Sequence, residues 1–282
     1  MAKKTKVGLK VPTKNEILKK YGGMIKVASE TKETGLWLPS TFFALNYLFG
    51  GGIPWGKSIE IAGEESSGKS LIAYNFAYST IQLGGHVIWV DAEQSWMNSW
   101  AEINGVDPTK VTCINDTRIE YVSDAVADLA IYLRSQLTHN EPILLVIDSI
   151  AAMDCADNID AKMAEGKAEM GGRAKALYKY FRIRSELFYK LGICQIYINQ
   201  LRTALNVGFG KDNTTTTGGA ALKFYASIRA AFYSGRSITV KQKGKERKAG
   251  KLVTIRLIKN KVAPPRPTIS KCPVYFNPKF HE

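Results

Sequence analysis

The residues best placed to do chemistry lie in one run, Gly63-Glu64-Glu65-Ser66-Ser67-Gly68-Lys69-Ser70. It fits the pattern G-x-x-x-x-G-K-[ST], a loop whose backbone N–H groups cradle nucleotide phosphates. In that chemistry Lys69 neutralises the β- and γ-phosphates of ATP, and the Ser70 hydroxyl ligates Mg²⁺. Gly63 and Gly68 allow backbone conformations that a Cβ would resist. Two carboxylates extend the set. Asp148 closes the aliphatic run Ile143-Leu144-Leu145-Val146-Ile147, and Glu93 follows His86-Val87-Ile88-Trp89-Val90-Asp91-Ala92. An aspartate ending a strand either holds the nucleotide's magnesium or caps the next helix. Beside a phosphate loop the metal role is favoured.

These groups need a frame. Ser58 to Ala62 alternates like a buried strand and Leu71 to Ala77 reads as a helix, so the loop joins a strand to a helix start. There the N–H groups and the helix dipole both favour an anion. Residues 86–90, 143–148 and 193–200 read as further buried strands, and 123–137 and 173–191 as helices. The alternation from 58 to 200 predicts an α/β fold: a mainly parallel twisted sheet flanked by helices. The strand carrying Glu93 is expected next to the phosphate-loop strand. Asn15 to Lys20 reads as a short helix and Met24 to Ala28 as a strand without a hairpin partner, so this pair must pack on the core or on a neighbouring molecule. Residues 154–172 read as a loop, and 202–219 are too long and polar for an ordinary connection. From Ala231 short strands flank a basic turn, Lys241 to Lys251. Three regions follow: a basic leader and polymerisation segment at 1–34, the core at 35–270, and a short tail at 271–282.

The 45% hydrophobic content is ample for a buried core, and no apolar run approaches the ~20 residues of a membrane span. No apolar stretch follows the charged N-terminus, which excludes a secretion signal of the usual form. The four cysteines are scattered, which argues against a disulfide framework or zinc site and suits reduced thiols in a cytoplasm. The net charge of +14 is uneven. Residues 1–33 carry nine Lys/Arg against three acids and residues 235–282 carry thirteen against two, while residues 34–234 carry seventeen against twenty. A near-neutral body with basic ends points to a polyanionic partner. The cations of 173–191 fit either a solvated face or nucleic-acid ligands.

From Ile17 to Pro265 the chain resembles the RecA family of strand-exchange recombinases. Gly63 to Ser70 is similar to that family's phosphate loop, and Leu145-Val146-Ile147-Asp148-Ser149 to its second nucleotide motif. Asp91-Ala92-Glu93 resembles the segment whose glutamate activates the attacking water, which makes Glu93 the catalytic base. Asn199-Gln200-Leu201-Arg202 resembles the strand end whose glutamine senses the γ-phosphate. The most specific matches are Thr215-Thr216-Thr217-Gly218-Gly219 and Leu222 to Ser227. The resemblance implies a first DNA-binding loop near Met170 and Gly171, and a second over 202–219 with Arg202, Phe209, Gly218 and Gly219. It also implies DNA-backbone contacts from Lys175 and Arg182, and a reach of Lys259 and Lys261 into a neighbouring subunit's ATP site. Around the adenine the family has an aspartate and a tyrosine, where this chain has Met97 and Trp100; a Trp face can still stack. The first loop is shorter here, the threonine run has one extra member, and the family's C-terminal domain has no counterpart. The compact length points to a phage member.

The expected activity is DNA-dependent ATP hydrolysis with Mg²⁺ by a helical filament on single-stranded DNA, pairing it with double-stranded DNA. The alternative is a recombination mediator or regulator that uses ATP as a switch. Glu93 counts against it, because switch-only relatives tend to lack the base. A ring-forming helicase motor would need an extra domain.

Overall fold

The apolar run Ile143–Ile147 is buried on both sides. Leu144 and Val146 pack into one hydrophobic cluster, and Ile143, Leu145 and Ile147 into another. Period-two side chains feeding two cores are what a central strand with helices on both faces requires. The computed structural model describes residues 13–21, 35–163, 171–203, 214–242 and 245–276. It divides the chain into two units, residues 1–34 and 35–282.

In the first unit the described element is helix α1 (Lys14–Tyr21). Thr13 and Glu16 cap it reciprocally: the Glu16 N–H donates to the Thr13 hydroxyl at 3.3 Å, and the Thr13 N–H to the Glu16 carboxylate at 2.8 Å. The strand expected at 24–28 lies outside the described residues.

The second unit begins with β1 (Trp37–Leu38), α2 (Phe43–Phe49) and β2 (Ile53–Pro54), the two strands pairing antiparallel. Then come β3 (Ser58–Gly63), α3 (Lys69–Gln82), β4 (His86–Asp91), α4 (Asn98–Ile103), β5 (Val111–Ile114), α5 (Ile119–Gln136) and β6 (Ile143–Asp148). After them run α6 (Ala156–Met163), α7 (Gly172–Lys190), β7 (Ile193–Thr203), β8 (Thr214–Thr216), α8 (Ala221–Tyr225), β9 (Ile228–Gln242), β10 (Lys245–Asn260) and β11 (Ile269–Tyr275). The main sheet has the order β11-β10-β9-β3-β7-β6-β4-β5, with β8 added to the end of β7. Strands β9 to β5 along that order are parallel; β8, β10 and β11 run antiparallel to their neighbours. Helix α3 packs on one face, through Ala73, Phe76 and Ala77, and α5 and α7 on the other, through Val122, Val126, Leu177 and Phe181. No helix among the described residues is long and apolar enough to cross a membrane.

The fold is the predicted one, with four local differences. Residues 156–163, read as loop, form α6, where Asn158 is buried against the Asp154 carboxylate. The 202–219 segment is partly strand: β7 runs on to Thr203 and β8 returns beside it. The basic stretch 241–251 is mostly strand, since charged residues are well tolerated on exposed positions away from the sheet centre. The boundary drawn at 271 falls inside β11, an edge strand pairing with β10.

Candidate nucleotide site and the strands that lead from it

The phosphate loop turns tightly between β3 and α3. Ser66 and Gly68 both take left-handed backbone, with φ of 55° and 88°. A Cβ on Gly63 would sit 2.5 Å from Ser67 Oγ and 2.8 Å from the Phe232 carbonyl, so the position accepts only glycine. Lys69 curls over its own loop, its Nζ donating to the carbonyls of Glu64 at 2.7 Å and Gly63 at 3.3 Å. Burial pushes this ammonium below its ordinary value, opposed by Asp148 and then Glu93. The Ser67 hydroxyl is buried without a protein partner. An orphaned hydroxyl and a cation at one helix start fit a phosphate group.

The carboxylates arrive from two further strands. Register sets Asp91 on β4 beside Asp148 on β6. The chain then turns so that the N–H groups of Ala92 and Glu93 donate to the Asp148 carbonyl, at 3.0 and 3.3 Å. Glu93 is exposed and accepts a hydrogen bond from the Ser149 hydroxyl. Contrary to the expectation, its strand is not next to β3; β7 and β6 lie between them. Proximity comes instead from the lateral turn after Asp91. Asp91 itself is committed to structure, its carboxylate accepting the N–H groups of Ser95 at 2.9 Å and Trp96 at 2.8 Å.

Asp148 is pushed up to about 6, chiefly by burial; the Ser70 hydroxyl bonded to it opposes the rise and Glu93 adds to it. Among the described residues no three His, Cys, Asp or Glu side chains gather as a metal cluster. Mg²⁺ held by Ser70 and Asp148 would complete its shell with water and phosphate oxygens, and would supply positive charge for the phosphates. The ligand-free protein carries the cost of the buried Asp148. Its carboxyl titrates near 6 when folded and near 3.9 when unfolded, so the folded state binds the extra proton between those values and stability falls as pH rises through them. Asp148→Asn is therefore expected to raise stability at pH 7 by up to ~3 kcal/mol. The advantage should vanish towards pH 4. Urea midpoints of both proteins at several pH values check this; a variant less stable than its parent at pH 7 contradicts it.

Trp100 is half-buried on α4, packed against the core. A groove of about 910 Å³ opens one residue beyond Ser70, walled by Leu71, Asn75, Tyr78, Asn104 and Tyr275 among others, and Trp100 is not one of its walls.

Gln200 lies beside Gly63 in the parallel register of β7 on β3. Its neighbour Asn199, which sequence reasoning passed over, is 0% exposed. The Asn199 amide donates to Glu60 Oε1 at 2.9 Å and to the Thr217 carbonyl at 3.0 Å, while its oxygen accepts the Gln200 N–H at 2.9 Å. Glu60, 1% exposed, is also paired with Arg229 of β9. One buried polar chain thus ties the phosphate-loop strand, the Gln200 strand and the threonine run. The signal was in the sequence: a glutamate inside Ile59-Glu60-Ile61 needs a partner if that strand is buried.

The remaining expected residues lie further out. Gly171, exposed with φ of 93°, precedes α7, and Lys175 and Arg182 are exposed on that helix. Arg202 pairs with Thr215 between β7 and β8. A Cβ on Gly218 would meet Leu177 at 2.8 Å, so close approach to α7 already demands glycine there, and Gly219 follows at the same surface. Met170 and Phe209 lie outside the described residues. Lys259 donates to the carbonyls of Lys223 at 2.7 Å and Phe224 at 3.1 Å, in the last turn of α8, and Lys261 is exposed nearby.

A parallel sheet with this loop at the end of a central strand, and an aspartate at the end of another, defines a protein of the phosphate-loop class. Residues 11–277 match the family model described as the RecA N-terminal domain. The chain belongs to the RecA family. It is 33% identical over 245 residues to Protein RecA of Gloeobacter violaceus, covering 86% of this chain and 62% of that one. It is 34% identical over 269 residues to Protein RecA of Bacteroides thetaiotaomicron, covering 94% and 77%, and 34% identical over 246 residues to that of Nautilia profundicola, covering 86% and 66%. The chain therefore spans about three fifths to three quarters of the length of these relatives.

Proposed function

We propose that this chain is an ATP-dependent recombinase. In this reading it binds ATP and Mg²⁺ at Gly63–Ser70, assembles on single-stranded DNA, pairs that strand with homologous double-stranded DNA and hydrolyses the nucleotide. Glu93 is the base that takes the proton of the attacking water, Lys69 holds the phosphates, and Ser70 and Asp148 hold the metal. Lys259 and Lys261 act towards a neighbouring copy, for which Lys259 must release the α8 carbonyls. The segment at 15–28 is the element by which one copy docks on the next.

The observation that carries the reading is the course of β7. It passes Gly63 at Gln200 and runs directly into the segment that returns as β8 and the threonine run. A γ-phosphate bonded by the Gln200 amide would fix the start of that segment, so nucleotide and DNA would each tighten the other. Such coupling is reciprocal and typically worth ~1–3 kcal/mol. The test measures affinity for single-stranded DNA with ADP and with a non-hydrolysable ATP analogue, for the unchanged protein and Gln200→Ala. The variant should bind each ligand alone but lose most of the mutual gain. A gain that survives in Gln200→Ala rules out the relay, and a parent protein with no affinity for DNA rules out the recombinase.

A further inference from the structure

A chain of aromatic rings leads from the sheet to the exposed face of α7. Tyr197 on β7 meets Phe181 edge-on at 5.0 Å, Phe181 stacks on Tyr225 at 5.6 Å, and Tyr225 meets Tyr178 edge-on at 5.6 Å. Tyr197 and Phe181 are buried, whereas Tyr178 keeps 44% of its surface exposed. The outermost ring thus rests on Tyr225, which Phe181 and then Tyr197 hold in turn. A braced ring loses little freedom when something stacks on it.

Its surroundings are cationic. Ala174, Lys175, Tyr178, Lys179 and Arg182 line a hollow of about 490 Å³. Positions 175, 178, 179 and 182 follow helical spacing on one face, and no acidic residue occurs between 172 and 185. A π-face set among cations suits one class of partner. Phosphates satisfy the cations, and an unpaired base offers a flat face to the ring. A duplex hides its base faces, and an acidic peptide leaves the ring unused.

We infer that Tyr178 is a base-stacking platform for single-stranded nucleic acid, a contact with the face of a base rather than with the backbone. The inference rests on the DNA-binding reading above and adds to it a residue outside both expected loops. Two probes separate the contributions: an oligothymidylate, and an abasic oligonucleotide of the same length with the same phosphates. Tyr178→Ala should weaken the oligothymidylate by about 5- to 150-fold, the range for losing one stacked base, and leave the abasic strand unchanged. Tyr178→Phe keeps the face and should bind both probes as the parent does. Lys175→Ala should instead weaken both alike and lower the salt slope by about one. Equal weakening of both probes by Tyr178→Ala, or none, overturns the platform while the parent's DNA binding stands. A parent that binds neither probe overturns both.

Discussion

Glu93→Gln is expected to bind ATP as the parent protein does and to hydrolyse it more slowly by a factor on the order of 10²–10⁴, the usual loss on removing a general base. Glutamine keeps the shape and can still accept from the Ser149 hydroxyl, so the local turn should persist. What disappears is the carboxylate able to take a proton from water. Lys69→Ala should fail in the opposite way. It removes the cation that spans the Gly63 and Glu64 carbonyls, so tight nucleotide binding should be lost before any effect on turnover can be seen. Equilibrium binding of a fluorescent ATP analogue, with single-turnover hydrolysis, separates the two. Hydrolysis by Glu93→Gln at the parent rate would mean that the base lies elsewhere.

Glu60→Ala should destabilise the fold by about 3–5 kcal/mol, the usual consequence of breaking a buried ion pair on one side. Arg229 is left buried without its carboxylate, and the Asn199 amide loses one acceptor. Removing both charges should cost less than the two single changes together, because the double variant strands no charge. Denaturation of Glu60→Ala, Arg229→Ala and the pair, read as a double-mutant cycle, gives the coupling. A loss below ~1 kcal/mol for Glu60→Ala would mean that water replaces the missing partner. Glu60→Ala and the double variant, which both lack the acceptor of the Asn199 amide, should also loosen the threonine run, seen as faster amide exchange over 214–219.

Much of the candidate site's local structure was legible because its signals are local. Gly63 to Ser70 announces strand, loop and helix within a few residues, and Ile143 to Asp148 announces a buried strand with a carboxylate at its end. Sheet order was less legible. Strand β7 comes late in the chain yet inserts between β3 and β6, which separates Glu93's strand from the phosphate loop's. Nor does local sequence reveal that Glu60 meets Arg229, a partner 169 residues away. The tail expected from residue 271 is instead the greater part of strand β11, which has Pro273 inside it. A proline is tolerated on an edge strand, and that is where β11 sits. Tyr178 went unremarked because a tyrosine on a basic helix has no sequence signature; the rings behind it come from β7 and α8.

Strand β9 pairs with β3 only as far as Phe232, whose carbonyl accepts the Glu64 N–H at 3.4 Å. Beyond that point β9 and β10 run on together as an arm, with β11 as a third strand as far as Ile238 and only two strands past it, bearing Lys241, Lys245, Arg247 and Lys248 towards its far end. Ten residues of strand at about 3.3 Å each make an arm of up to roughly 33 Å. Its pivot touches the phosphate loop. A swing of ~5° there carries the charged tip through about 3 Å, the width of a hydrogen bond. A tilt of the arm about that contact would be felt first at the phosphate loop.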